Sequence, residues 1–335
     1  MNTYSSPVRV GIAGATGYAG QELISLLARH PHVRLNAAMS SSADSAARPL
    51  PRLARIWDGQ VEPLNKERLA SEMDLVFLAV PEAAAAELAP PLVEAGVRVI
   101  DLSGAFRIRD AAARSRWYPQ TKSLPSGAAY GLTELFKDDV KQASLVANPG
   151  CYPTGALLAL LPLSRAGLID LKSDVIVDAK SGISGAGRAA TDRTHFSENH
   201  GSVSAYGIFG HRHVAEMEQE LGAEITFVPH LVPLDRGILE TIYVRVRPGT
   251  TAEQIADAFN ATYADEPFIR LTGDALPEIK HVAWTNFCDI GWRLDASGKR
   301  LVLVSCLDNL VKGAAGQALQ NFNVAYGLDE RTALL

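Results

Sequence analysis

The chain has 335 residues, 47% of them hydrophobic and 21% charged, and a formal net charge of −5. This length exceeds the usual size of one hydrophobic core, so we expect two domains. The absence of a basic block argues against a nucleic-acid surface, and no stretch approaches the roughly 20 apolar residues of a membrane span. The three cysteines are far apart and odd in number, which favours reduced thiols and a cytoplasmic protein over a disulfide framework.

The first 150 residues alternate short apolar runs with helix-compatible stretches. Runs rich in Val, Ile and Leu are typical of strands that are buried on both faces of a parallel sheet. The predicted strands are residues 8–14, 33–39, 75–81, 97–104 and 144–150, and the predicted helices are 19–30, 81–96 and 132–142. This alternation predicts a Rossmann-like α/β domain with a doubly wound, mostly parallel sheet over residues 1–150.

The chain after residue 150 has a different pattern, in which strands follow one another without regular helical crossovers. The predicted helices are residues 153–166, 213–222 and 251–265, the last with Thr251 as N-cap, and the predicted strands are 174–182, 224–233 and 238–246, with a hairpin made by 281–295 and 300–308. This pattern predicts an α+β domain with a largely antiparallel sheet over residues 151–308, for catalysis, substrate binding and oligomerisation. We expect a last helix, 309–327, to return to the first domain, so that 309–335 belong with it.

Glycines recur at every third position where the first predicted strand meets the first helix. Gly11, Gly14, Gly17 and Gly20 would let the turn tighten and let a pyrophosphate approach the N–H groups of the helix N-terminus. A strand before and a helix after are the context that such a loop requires. The pattern therefore predicts a dinucleotide site. The residues expected to contact the dinucleotide are Gly14, Ala15, Thr16, Gly17, Tyr18 and Ala19.

The end of the second predicted strand indicates which dinucleotide is bound. NAD-specific sites usually place Asp or Glu there, on the ribose 2′-hydroxyl. This strand instead ends in Ser40, Ser41 and Ser42, whose hydroxyls can accommodate a 2′-phosphate. The cofactor is therefore predicted to be NADP.

Cys151 follows the fifth predicted strand, at the edge of the sheet where α/β proteins place their chemistry. Pro153 fits the first turn of the helix that follows, so the cysteine lies just ahead of a helix N-terminus. Unpaired N–H groups and the helix dipole favour a thiolate there and lower its pKa. We therefore predict that Cys151 is a nucleophile, whereas Cys288 and Cys306 lie in strands and are expected to pack in the core.

A nicotinamide cofactor and a nucleophilic cysteine together narrow the reaction class. Hydride is not readily delivered to an acyl phosphate, but a thioester is a better electrophile and cysteine can form one. The combination suggests reversible conversion of an acyl phosphate into an aldehyde.

Several longer motifs extend this interpretation over nearly the whole chain. They are GATGYAG (14–20), SGAFR (103–107), NPGCYPTGALLAL (148–160), SGISGAGR (181–188), AYGIFGHRH (205–213), VPHLVPLDRGIL (228–239) and DNLVKGAAGQALQN (308–321). Together they resemble the N-acetyl-γ-glutamyl-phosphate reductase family, in its longer, type 1 form. Aspartate-semialdehyde dehydrogenase is a relative with the same fold and chemistry.

The resemblance implies an NADPH-dependent enzyme of arginine biosynthesis, forming a dimer or tetramer. Cys151 would attack N-acetyl-γ-glutamyl phosphate and expel phosphate, and reduction of the thioester would give N-acetylglutamate 5-semialdehyde. Imidazole suits the proton transfers. His211 and His213 are both candidates for the base; His213 is favoured slightly because it starts a helix, with His211 on the substrate, or the roles are reversed. No cysteine or third histidine lies near them with metal-ligand spacing, so no metal is expected.

Further contacts are assigned on the same resemblance. The expected substrate-binding residues are Arg107, Arg188 and Asn148, and the expected further cofactor contacts are Pro81, Ser181, Gly182 and Asn309. Arg236 either orders its own segment or contacts substrate. Glu82 stands where the family commonly has histidine, which puts one cofactor contact in question.

Two other functions fit the same residues less well. Aspartate-semialdehyde dehydrogenase would use the same cofactor and thiol. For an NADP-binding sensor without catalysis, Cys151 would have an unperturbed pKa and would react no faster with iodoacetamide than the buried cysteines.

Overall fold

The apolar runs of the first 150 residues form one parallel sheet, as the sequence predicts. The structure is a computed structural model that describes residues 6–335. The chain forms two compact units. One runs to Gly150 and includes Ala314–Leu335, and the other is Cys151–Gly313. Residues 309–313 therefore lie in the second unit, beyond the predicted boundary at 308.

The strands of the first unit are β1 (Val8–Ala13), β2 (Val33–Met39), β3 (Arg48–Pro49), β4 (Gln60–Val61), β5 (Leu75–Leu78), β6 (Arg98–Asp101), β7 (Ala128–Tyr130) and β8 (Leu145–Ala147). Its helices up to residue 150 are α1 (Tyr18–Leu27), α2 (Lys66–Glu72), α3 (Glu82–Glu94), α4 (Ala111–Trp117) and α5 (Thr133–Gln142).

Six of these strands form a sheet in the order β2-β1-β5-β6-β8-β7, and every neighbouring pair is parallel. The Rossmann-like prediction is confirmed. The edge strand β7 was not predicted, because three residues are too few to show a periodicity. The carboxyl ends of β1, β6 and β8 share one edge, which carries Gly14, the SGAFR segment and Asn148.

The elements of the second unit are α6 (Cys151–Arg165), β9 (Val175–Ser181), α7 (Phe196–Asn199), β10 (Ser204–Ala205), α8 (His213–Leu221), β11 (Ile225–Leu231), β12 (Ile238–Arg245), α9 (Ala252–Tyr263), β13 (Ile269–Leu271), α10 (Ile279–Val282), β14 (Cys288–Leu294) and β15 (Arg300–Leu307).

The seven strands of this unit form one mixed sheet, in the order β10-β11-β9-β12-β15-β14-β13. Four of the six pairs are antiparallel, and β14 and β15 form the predicted hairpin. The largely antiparallel prediction is thus confirmed. The predicted last helix is divided, because a π-helical turn (Val311–Ala315) precedes α11 (Gly316–Ala325).

Helix α6 forms the centre of the second unit. It is apolar on all sides, as a helix inside a core should be, and every residue from Tyr152 to Leu163 is buried. It packs against β12 and β15 on one side and against α8 and α9. Within residues 6–335, no helix has the length and apolar character needed to cross a membrane.

One acidic side chain interrupts the apolar row that β12 presents to α6. Glu240 lies between Ile238 and Ile242, is fully buried, and has no hydrogen-bond partner for either carboxyl oxygen among residues 6–335. One oxygen occupies the space that a side chain on Gly155 of α6 would need. Burial raises the pKa of Glu240 well above its ordinary value, so the folded protein holds the carboxyl in its neutral form.

The buried proton on Glu240 predicts a pH-dependent loss of stability. Between the ordinary glutamate pKa of 4.5 and the raised pKa, only the folded state binds this proton. As the pH rises through this range, the contribution of Glu240 to the free energy of unfolding should therefore fall by about 1.4 kcal/mol per pH unit. Glu240→Gln should remove that slope and be more stable than wild type at pH 8, as measured by urea unfolding from pH 5 to 8. An unchanged slope in the variant would show that Glu240 does not hold the proton.

Candidate active site

The turn after β1 is built on a glycine that the fold itself requires. Gly14 has φ +92°, and a Cβ there would overlap the carbonyl oxygen of Ala79. The N–H groups of Gly14 and Ala15 both donate to the carbonyl oxygen of Met39, at 2.9 and 2.8 Å. The loop is thereby tied to the end of β2, and its backbone is fixed before any ligand binds.

Gly17 has a different reason to be glycine. Its φ is −72°, and a Cβ there would meet only the carbonyl oxygen of Gly14, at an ordinary 3.5 Å. Gly17 is the N-cap of α1, and no side chain among the described residues caps that helix. Thr16, Tyr18 and Ala19 beside it are partly exposed. The open space and uncapped N–H groups fit a pyrophosphate, which approaches a helix N-terminus closely.

The serine segment after β2 divides into two parts. The Ser40 hydroxyl is buried and donates to the carbonyl oxygen of Ser42 at 2.7 Å, so Ser40 shapes the loop. Ser41 and Ser42 are exposed.

The residues that follow β5 begin helix α3. Pro81 is exposed and is the N-cap of α3, and Glu82 lies in the first helical turn, where the helix dipole favours a carboxylate.

The SGAFR segment ties the ends of β6 and β8 together. The Arg107 side chain, 5% exposed, donates from Nε to the carbonyl oxygen of Asn148 at 2.8 Å and from Nη2 to that of Leu102 at 2.9 Å. Asp101 accepts from Ser103, and burial raises the pKa of Asp101 to about 6. Arg107 therefore has a structural role at this edge, and its contact with substrate stays a prediction.

Asn148 is also engaged within the first unit. Its side chain is fully buried, with Oδ1 accepting from Asn321 at 3.0 Å and Nδ2 donating to the carbonyl oxygen of Ala314 at 3.2 Å. This arrangement fixes the turn that leads to Cys151. A substrate contact from Asn148 stays a prediction.

Cys151 occupies the first position of α6 and is partly exposed. The sequence had predicted the cysteine just ahead of the helix, whereas the helix already begins at Cys151, with Pro153 in its first turn. Cys288 and Cys306 are fully buried in strands, as predicted, and burial raises the pKa of the Cys306 thiol. Cys151 is thus the accessible cysteine of this chain.

The predicted histidines lie in an aromatic cluster around the residue that follows Cys151. The ring centroids of His211 and His213 are 4.8 Å apart, and Tyr152 packs edge-on against both, at 5.7 and 5.9 Å. Tyr206 and Phe227 complete the cluster against His211. The Tyr152 and Tyr206 hydroxyls are 3.2 Å apart, and burial raises the pKa of both.

The two histidines differ in their chemistry. Nδ1 of His211 accepts the backbone N–H of His213 at 3.2 Å, so its neutral ring carries the proton on Nε2. Burial, assisted by the charge of Arg212, lowers the pKa of His211 to about 4. His211 is therefore a neutral hydrogen-bond donor at physiological pH. His213 is the first residue of α8.

The remaining predicted residues lie in or beside the loop that follows β9. Ser181 and Gly182 are buried at the start of this loop, and Arg188 is exposed further along it. Asn309 is 2% exposed: Oδ1 accepts from the N–H of Gly237 at 2.7 Å and Nδ2 donates to Ser184 at 3.0 Å. The amide of Asn309 thus holds the loop, and a cofactor contact from it stays a prediction.

Sequence reasoning did not assign roles to Tyr152 and Tyr206. A signal was present, since Tyr152 adjoins the cysteine and Tyr206 belongs to the AYGIFGHRH motif. Within residues 6–335, no three His, Cys, Asp or Glu side chains are grouped as a metal site requires.

Comparisons with known proteins cover both units. Residues 9–143 match the family described as semialdehyde dehydrogenase, NAD binding domain, and residues 151–309 match semialdehyde dehydrogenase, dimerisation domain. A protein of Brevibacillus brevis named N-acetyl-gamma-glutamyl-phosphate reductase is 47% identical over 98% of both chains. One of the same name from Bacillus subtilis is 43% identical over 98% of both.

This chain belongs to the N-acetyl-γ-glutamyl-phosphate reductase family. It is therefore an oxidoreductase of the semialdehyde dehydrogenase group, and its first domain indicates a nicotinamide cofactor. Among solved structures, aspartate semialdehyde dehydrogenase II of Vibrio cholerae aligns with a TM-score of 0.74, covering 96% of this chain and 99% of that one at 21% identity. The enzyme of Candida albicans with NADP aligns at 0.69 and 17% identity, with 96% and 99% covered. At these identities the likeness establishes the fold.

The contrast between two glycines of the dinucleotide loop gives a test of cofactor binding. Gly17→Ala should fold, because its Cβ meets only an ordinary contact, but the methyl group would displace a bound pyrophosphate. Loss of one charge-assisted hydrogen bond weakens binding roughly 10- to 100-fold. Gly20→Ala is the matched comparison and should lose the fold itself, since its Cβ would overlap the Gly14 carbonyl oxygen. Fluorescence titration with NADPH and NADH, beside thermal melts, checks both; native affinity in Gly17→Ala would place the pyrophosphate elsewhere.

Proposed function

We propose that this enzyme reduces N-acetyl-γ-glutamyl phosphate with NADPH to N-acetylglutamate 5-semialdehyde and phosphate, in arginine biosynthesis. The observation that carries the proposal is a partly exposed thiol at the first position of α6, within a unit that also places two histidines against Tyr152. The choice of substrate is based on the names of the relatives. The family description of the second domain supports a homo-oligomer.

Cys151 performs the covalent step. The N-terminus of α6 favours a negative charge, which supports a thiolate at its first position. The thiolate sulfur bonds to the acyl carbon, the carbon–oxygen bond to phosphate breaks, and phosphate leaves with the electron pair. The product is a thioester on Cys151, which is a better hydride acceptor than the acyl phosphate.

The cofactor, when bound, supplies the hydride that reduces this thioester. The protein's part is to hold it: the Gly14–Ala19 loop would take the pyrophosphate, and exposed Ser41 and Ser42 would take the ribose 2′-phosphate of NADP. The absence of a carboxylate at the end of β2 supports NADP over NAD. Pro81, Ser181 and Gly182 remain in the proposal as further contacts.

His213 is the proposed base. It would take the thiol proton at the start and return it to the oxygen that becomes negative when the thioester is reduced. It would then take the hydroxyl proton of the thiohemiacetal, whose collapse breaks the carbon–sulfur bond, releases the aldehyde and leaves a thiolate that recovers the proton. The lowered pKa of His211, about 4, makes that ring a poor proton acceptor at neutral pH. Its Nε2–H would instead donate to a substrate oxygen. Arg107 and Arg188 are proposed to bind the anionic groups of the substrate.

Exchange of the thiol tests the reaction. Cys151→Ser should abolish the phosphate-dependent oxidation of N-acetylglutamate semialdehyde with NADP, because the thioester cannot form. Cys288→Ser is the control that should retain activity, since its Sγ already lies 3.5 Å from the Ser305 hydroxyl and the new hydroxyl has a polar neighbour. Near-normal turnover by Cys151→Ser would end the proposed mechanism. Preference of the wild type for aspartate semialdehyde would overturn the substrate.

The two histidines are separated by their effects on kcat and KM. His213→Gln should lower kcat by about 10²- to 10⁴-fold, the usual contribution of general acid–base catalysis, and remove the acidic limb of the pH–kcat profile. His211→Gln should mainly raise KM for the substrate, because a neutral donor is lost. Steady-state kinetics from pH 5 to 9 measure both. The opposite pattern would assign the base to His211.

A further inference from the structure

We propose that Gly313 is a positioning residue for the reaction, and that a clamp of buried Arg236 and Asp308 with exposed Trp284 holds it against Cys151. We call these four residues the thiol clamp. The inference rests on the proposed role of Cys151 as the nucleophile. It concerns how the second unit fixes the Cys151 side chain.

A side chain at position 313 would collide with Cys151. A Cβ built on Gly313 would lie 2.8 Å from the Cβ of Cys151, closer than real Cβ atoms approach one another. It would also lie 3.2 Å from the Asp308 carbonyl oxygen. The Cβ of Cys151 cannot swing aside as the end of a long side chain can, because it is bonded to the backbone of α6. Any side chain at 313 must therefore shift the start of the helix or its own turn.

The backbone at Gly313 is fixed by Asp308. The Gly313 N–H donates to the Asp308 carbonyl oxygen at 2.8 Å, five residues back, in the π-helical turn. The Asp308 carboxylate, fully buried, accepts the N–H groups of Leu310 and Val311 at 2.8 and 2.9 Å. One aspartate thus holds the start and the middle of the turn that lies beside Cys151. Such π-helical turns occur frequently at functional sites.

Asp308 is in turn held by two neighbours. The Arg236 guanidinium pairs with the Asp308 carboxylate at 3.3 Å, and the backbone N–H of Trp284 donates to the same carboxylate at 2.6 Å. The Trp284 ring covers the guanidinium carbon at 3.6 Å from its centroid, a cation–π contact. Arg236 therefore helps to hold the Asp308 turn, whereas its two predicted roles, ordering its own segment or contacting substrate, stay predictions.

The backbone of Trp284 has an unfavourable conformation that core packing does not explain. Its φ is +69°, a conformation that large L-residues rarely adopt, and its side chain is 60% exposed. An exposed ring contributes little to core packing, so burial does not explain the strain. The conformation instead coincides with its backbone hydrogen bond to Asp308 and its ring contact with Arg236, and such strain often accompanies functional sites.

The consequence for catalysis is the placement of the Cys151 sulfur. Displacing a reacting group by about 1 Å can lower a rate roughly 10²-fold. Displacement from the N-terminus of α6 also weakens the stabilisation of the thiolate. The clamp should therefore affect kcat and the reactivity of the thiol, while cofactor binding by the first unit is unchanged.

Gly313→Ala is the direct test. It should lower kcat roughly 10- to 100-fold, leave the NADPH dissociation constant within about twofold, and move the pH midpoint of Cys151 alkylation by iodoacetamide upward. Gly298→Ala is the matched control: Gly298 lies in the β14–β15 turn with φ +64° and no atom within 4 Å in the described part of the chain. It should lose some stability and keep wild-type kcat and alkylation.

Trp284→Ala and Trp284→Gly keep the proposal testable if Gly313→Ala does not fold. Both remove the ring from Arg236, but only glycine relieves the positive φ. Both should lower kcat and raise the alkylation midpoint, with Trp284→Gly the more stable of the two. Wild-type kcat and alkylation in a folded Gly313→Ala, or in both tryptophan variants, would overturn the clamp. Loss of activity in Cys151→Ser would then still support the proposed function, so the two failures are distinguishable.

Discussion

The helix N-terminus at Cys151 is the constraint on which the candidate active site depends. The first N–H groups of a helix have no partner within it, and the dipole favours negative charge at that end. A thiolate at the first position of α6 meets both conditions. Since α6 is buried from Tyr152 to Leu163, the thiol is carried at the end of a core helix, and the residues that pack on that end also affect the reactivity of the thiol.

Two buried carboxyl groups of the second unit have very different surroundings. Asp308 accepts three backbone N–H groups and pairs with Arg236, so it can hold a turn in place. Glu240 is equally buried, has no such donors among the described residues, and holds its proton. Each of these residues has a glycine as a neighbour. The carbonyl oxygen of Asp308 accepts the N–H of Gly313, and the Glu240 carboxyl group fills the space beside Gly155 of α6.

Fold and substrate are decided by different parts of the chain. The Vibrio cholerae aspartate semialdehyde dehydrogenase shares the fold at 21% identity, yet it carries a different name from the relatives that are 43–47% identical. A shared fold does not by itself choose the acyl group. In the proposed function His211 would contact the substrate, and the sequence carries this residue in the short motif GHRH.

The sequence by itself determined the elements with a clear local signal. The parallel strands, the hairpin, the capping of α9 by Thr251 and the accessible cysteine follow from periodicity, caps and turns, which neighbours in the chain produce. Only the tertiary structure decided which polar groups meet. It gave Asn148 and Asn309 internal partners and brought Gly313 against Cys151. These contacts join residues far apart in the chain, and no local pattern encodes them because burial and pairing arise only when the elements pack.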